Sequence, residues 1–328
     1  MTIIDAHAHT NAPNALGAYR AGLLASRGAH GRGGLNLSDE QVEQAMMRPM
    51  KQIDAAGIDF QLISPRPYTV MQWAKPYKLV QWYTEETNNL IARQVKLHPE
   101  KVRGVCSLPQ SPGVSPANCV EELERCVKDL GFVGCQINPD PGEMGGDETP
   151  GMGDEFWYPL YEKMVELDVP ALIHSAACQL ERNPTFYLHF INEESIAIMS
   201  LLESRTFEDF PNLKIVVSHG GGAIPYQIGR FISQWHGRPE RFDHAVRKLY
   251  YDTCLYTKNS LELLFEVMGP DRCLFGTEVP GAGSHPHPDT GLEMDHLVDV
   301  IESIEFLSAE DKKNIFEDNA RKLYKLDI

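Results

Sequence analysis

The chain of 328 residues carries 30 Lys and Arg against 46 Asp and Glu, a formal charge of -16. That sign excludes general attraction to nucleic acid or to acidic membranes, which need a basic face, although a few local arginines can still hold an anionic small molecule. Hydrophobic residues make up 42% and charged residues 23%, an ordinary globular balance; no stretch approaches the roughly 20 apolar residues of a membrane span.

The N-terminus, MTIIDAHAHT, shows neither the basic nor the apolar region of a signal peptide, and the seven cysteines form no close C-x-x-C pair. Reduced thiols in a cytoplasmic protein are the expectation. Cys178 alone invites attention, but no His and Asp or Asn pair is placed to make it a nucleophile.

In chain order, apolar runs of strand length fall at 2–7, 58–64, 102–108, 132–138, 169–175, 213–219, 249–254 and 272–278. Between them, segments such as 39–56, 116–130 and 155–167 space their apolar residues as helices do. Strands that alternate with helices pair in parallel, and eight such units close a (β/α)8 TIM barrel, here a single α/β domain over 1–328. An open doubly wound sheet is the other arrangement, but no G-x-G-x-x-G follows any strand, and HGGGA at 219–223 is not that fingerprint. Three loops, 10–38, 139–154 and 279–291, follow strands and are expected on the C-terminal face, where sites of such barrels lie. A last helical pattern, 309–324, is expected to cover the barrel from outside.

The chemistry gathers at the strand ends. His7 and His9 stand at i and i+2, which turns both imidazoles to one side of a strand. An H-x-H alone is common by chance. His174 ends the fifth run, His219 the sixth and Glu278 the eighth, with Asp252 near the end of the seventh. In a barrel those ends meet around one point, and imidazole with carboxylate donors suits a divalent cation, Zn²⁺ first and Mn²⁺ as the alternative.

IIDAHAH, LIHSAA, VVSHGGGAIPYQIGR and the strand-eight acid resemble the amidohydrolase superfamily, in its branch of metal-dependent decarboxylases and hydratases. Within it, SPR at 64–66, LPQSP at 108–112, ELERCVKDLGFVGCQINPDPG at 122–142, YDTCLY at 251–256 and FEDNARKLY at 316–324 resemble the 4-oxalomesaconate hydratases. The resemblance implies one metal ion on His7, His9, His174 and Glu278, with His219 close by. A binuclear centre is not expected, because Gln136 and Asn138 stand where a strand-four Lys would be.

It also implies water addition to the C=C bond of an unsaturated oxo-di- or tricarboxylate in aromatic-compound catabolism. Glu278 would be base as well as ligand, His219 a hydrogen-bonding partner, and Tyr187 the acid that returns a proton to carbon. Ser64, Arg66, Asn138 and Arg230 would bind the anionic substrate, with the amides of Gly220–Gly222 offering a further carboxylate site. The alternative on the same fold is decarboxylation of an aromatic or unsaturated acid; Glu rather than Asp at 278 favours hydration. A homo-oligomer, expected as a dimer, follows by analogy only. His285 and His287 of SHPHP read as solvated or substrate-facing loop residues. A non-catalytic carboxylate-binding barrel would require missing metal ligands, and none is missing.

Overall fold

A computed structural model of the chain describes residues 1–143, 149–181 and 185–328. The expected loop 139–154 therefore falls partly outside the described residues. Each of the eight apolar runs contributes a strand: β1 (Ile4–His9), β2 (Phe60–Ser64), β3 (Val102–Cys106), β4 (Gly134–Ile137), β5 (Ala171–Ile173), β6 (Ile215–Val217), β7 (Tyr250–Asp252) and β8 (Cys273–Leu274). They pair in parallel in sequence order. The first and last meet through Ala6 N–H to Phe275 O at 2.8 Å and Glu278 N–H to His7 O at 2.7 Å. The sheet is thereby closed into a (β/α)8 barrel, as the alternation predicts.

The later strands are shorter than their apolar runs. After Leu274, Gly276 N–H donates to the Thr253 hydroxyl and Thr277 N–H to the Asp5 carboxylate, so the chain leaves the ladder without leaving the core. This departure carries the strand ends inward, where side chains can converge.

Helices α1 (Asn14–Ser26), α2 (Asp39–Ala55), α3 (Lys78–Leu97), α4 (Val120–Lys128), α5 (Tyr158–Leu167) and α6 (Phe186–Glu203) follow in turn. Ser38 caps α2 reciprocally with Gln41, a capping box that fixes its start at the expected position. The segment 10–38, expected as a loop, instead contains α1. Gly17 and Gly22 weaken its helical signal, yet Leu16 and Leu23 bury against Leu79, Val80 and Tyr83 at a spacing of seven residues. None of the described helices is long and apolar enough to cross a membrane.

The main apolar core lies between strands and outer helices, with Ile63, Cys106, Ile137, Ile173, Val217 and Phe275 on the strand side. A smaller cluster joins Ile4, Leu62, Leu172 and Val216 to Leu323 and Tyr324 of the C-terminal helical run 309–324. Tyr324 approaches Gly134 at the start of β4. The run therefore does more than cover the barrel from outside: its inner face stops the N-terminal end, leaving the opposite end open for chemistry.

Candidate metal centre and active site

β1 delivers His7 and His9, the chain after β5 delivers His174, that after β6 His219 and that after β8 Glu278, and all five side chains are buried. The Nε2 atoms of His9, His174 and His219 each lie 3.7 Å from Glu278 Oε1. The His7 ring sits 5.1 Å from His9 and 5.0 Å from His174, centre to centre. Gly276 makes room for this packing, since a Cβ there would lie 3.1 Å from those of His7 and Asp252.

The outer hydrogen bonds determine which ring nitrogen faces inward. His174 Nδ1 lies 2.7 Å from the Ser175 carbonyl, and His7 Nδ1 lies 2.6 Å from Asp252 Oδ2. A carbonyl or an ionised carboxylate only accepts, so both Nδ1 atoms carry hydrogen and both Nε2 atoms present lone pairs. Ser64 Oγ donates to the Ala8 carbonyl and accepts from His9 Nδ1 at 3.2 Å, which sets His9 the same way. The Nε2 atoms of His7 and His174 are buried without a hydrogen-bond partner. Inward lone pairs with outward anchors are the arrangement a divalent cation requires of imidazoles, so this donor set fits one.

The charges separate by role. Burial pulls the His9 imidazole down to about 4 and the His174 imidazole to about 3, keeping both neutral. Burial opposes protonation of His219 too, but the Glu194 carboxylate, 2.9 and 3.0 Å from its Nδ1, together with Glu278 holds it protonated, well above the usual range. Burial likewise opposes the charge on Glu278, yet the protonated His219 beside it holds its carboxyl well below the usual carboxylate range. Glu278 and His219 both adopt left-handed backbone, with φ of 64° and 51°. Such conformations are uncommon outside glycine and persist only where surrounding structure enforces them.

The cluster opens into a cavity of about 530 Å³ lined by His9, His174, His219 and Glu278, with Arg66, Tyr187, Phe190 and Tyr256 among its walls. Arg66 and Tyr187 are thus brought to the site, Tyr187 at its exposed rim on the first turn of α6. Ser64 is present but stands behind His9. Asn138 is held in a buried amide network, donating to Gln72 and bonding Gln110 through its backbone. Arg230 lies exposed on a short helix, Ile228–Gln234, and does not line the cavity. The amides of Gly220, Gly221 and Gly222 donate to Asp252, Ser218 and His219 respectively, so they brace the turn rather than wait for a carboxylate. His285 is exposed and His287 half-buried, both outside the cavity lining.

Three further side chains hold these groups in place; of them only Asp252, near the end of the seventh run, is expected near the centre from the sequence. Asp252 orients His7, Glu194 orients His219, and the Tyr256 hydroxyl donates to Glu278 Oε2 at 2.7 Å. Tyr256 stands within YDTCLY, but Glu194 sits in an ordinary helical sequence four residues after Phe190, where only the packed helix shows its direction. A larger hollow of about 920 Å³, lined by Asp168, Lys214, Arg247 and Arg272, contains none of the converging histidines.

A closed (β/α)8 barrel with a histidine and carboxylate centre at the C-terminal ends of its strands belongs to the class of metal-dependent barrel enzymes. The chain is a member of the amidohydrolase family, whose sequence pattern matches residues 4–326. It is 37% identical to a 2-keto-4-carboxy-3-hexenedioate hydratase from Sphingobium sp., over 99% of this chain and 96% of that one. The crystal structure of 4-oxalomesaconate hydratase from Rhodopseudomonas palustris superposes with a TM-score of 0.89 at 36% identity, covering 99% and 96% of the two chains. A gamma-resorcylate decarboxylase from Rhizobium sp. is 27% identical over 85% of this chain and 86% of its own.

Proposed function

We propose that this protein is a metal-dependent hydro-lyase that adds water to the C=C bond of an unsaturated oxo-di- or tricarboxylate, in the manner of its hydratase relatives. The observation that carries this reading is Glu278, an ionised carboxylate whose Oε1 is ringed by three imidazole nitrogens while Tyr256 holds its Oε2. His7, His9, His174 and Glu278 would hold the cation, and three nitrogens with one oxygen favour Zn²⁺, with Mn²⁺ the alternative. When bound, the ion supplies Lewis acidity.

The chain's own groups divide the remaining work. Oε1 of Glu278 accepts the proton of the attacking water, and Tyr256 keeps that carboxylate turned inward. His219, protonated against Glu194, donates Nε2–H to the oxygen on which enolate charge develops. Phe190 stacks on the His219 ring at 5.7 Å, covering it from solvent. Arg66 pairs with a substrate carboxylate, and Tyr187, at the rim, returns a proton to carbon.

Metal-loaded protein given 4-oxalomesaconate should bleach its ultraviolet absorbance without releasing CO₂; CO₂ release in step with turnover would establish the decarboxylase reading instead. Glu278→Gln should lower kcat by about 10²–10⁴-fold, the range for loss of a positioned general base. Full turnover by that variant would overturn the role given to Glu278.

A further inference from the structure

Beside the main cavity lies a second hollow of about 340 Å³, which shares Arg66 and Tyr68 with it. Its lining begins at Thr10, the residue after His9, and includes Arg20 from α1. The two arginines flank one residue: Arg20 Nη2 donates to the Tyr68 carbonyl at 3.4 Å, and Arg66 Nη1 to the Tyr68 hydroxyl at 3.0 Å. Arg20 Nε is buried and has no hydrogen-bond partner. Thr10 donates to Gln94, and Asn11 to the Ala45 carbonyl, so these neighbours spend their donors on the framework.

A guanidinium uses adjacent N–H groups as a fork that matches a carboxylate, and a buried N–H left without an acceptor is costly. In a chain of net charge -16, this hollow is lined, among the described residues, by two guanidiniums and by no carboxylate. They are also placed in sequence along a path from the centre: His9 and Glu278, then Arg66, then Arg20.

We propose that the hollow between Arg66 and Arg20 is the subsite for the substrate carboxylate farthest from the reacting double bond, so that Arg20 selects tricarboxylates over dicarboxylates. The proposal rests on the function proposed above, in which Arg66 holds a nearer carboxylate. It gives α1 a purpose in specificity, since the helix lays Arg20 against a space the barrel strands alone would leave open.

Calorimetric titration of the metal-loaded protein with cis-aconitate, which has three carboxylates, and fumarate, which has two, tests it. Arg20→Met should weaken cis-aconitate binding about tenfold or more and leave fumarate unchanged, with an unaltered melting temperature because Arg20 is half-exposed. Arg66→Met should weaken both probes. An Arg20→Met protein that binds cis-aconitate as wild type does, or loses both probes equally, overturns the subsite while leaving Arg66 in place. If Arg66→Met changes neither probe but Arg20→Met selectively weakens cis-aconitate, the Arg66 role fails and the Arg20 subsite stands. Wild-type protein that binds neither probe overturns both.

Discussion

At the scale of single residues, the centre depends on groups that never face the substrate. Asp252 accepts from His7 Nδ1 and from the amides of Gly220 and Cys254, so one buried carboxylate fixes a proposed metal ligand and two turns of backbone. Burial opposes its charge, but His7 keeps its carboxyl below the usual range. Asp252→Asn should therefore weaken metal affinity about 10–100-fold, the range for loss of an orienting partner, as measured by competition with a chelator. The cluster proposed as the ligand set was legible in the sequence, because His7, His174 and Glu278 stand at the ends of apolar runs that a barrel must bring together, with His9 two residues beyond His7. Glu194 and Tyr256 were not. Each acts through a direction in space, one from a helix face and one from a left-handed residue with φ of 61°, and neither leaves a pattern along the chain.

At the scale of elements, the turn after β6 and helix α6 are built against each other. Gly222 has φ of 63°, and a Cβ there would lie 2.5 Å from Ser195 Oγ and 2.6 Å from the Ile191 carbonyl of α6. Gly222→Ala should cost about 2–3 kcal/mol and lower the melting temperature, with turnover falling as His219 shifts. Between Ile191 and Ser195 of α6, burial and the nearby Asp140 carboxylate push Glu193 up to about 7 from its ordinary 4.5. A folded-state value raised in this way favours folding at low pH, and that contribution is lost as pH rises from about 4.5 through about 7. Glu193→Gln should accordingly unfold at a higher temperature than wild type at pH 8, and at the same temperature near pH 4. Helix α2 was legible from the apolar spacing of its residues alone. Helix α1 was hidden by two glycines and by the fact that only tertiary packing stabilises it.

At the scale of the whole molecule, the two ends of the barrel serve different purposes. Leu323 and Tyr324 seal the N-terminal end against residues of several strands, far from the histidines. Leu323→Ala should destabilise the fold by about 2–4 kcal/mol in denaturant titration while leaving KM unchanged, since the cavity it opens is remote from the substrate. The alternation of strands and helices predicted this cylinder from sequence, but not that the last helix would stop one end, because an amphipathic pattern shows which face is apolar and not what it meets. At the other end, His9 and Glu278 stand on either side of the seam between β1 and β8. A cation held by both residues, as proposed, would bridge the first and last strands of the barrel, and because it binds only where they meet, its affinity would add to the free energy of closing the ring. In topological terms the ion would be a clasp: the atom proposed to supply Lewis acidity would also fasten the first strand of the barrel to its last.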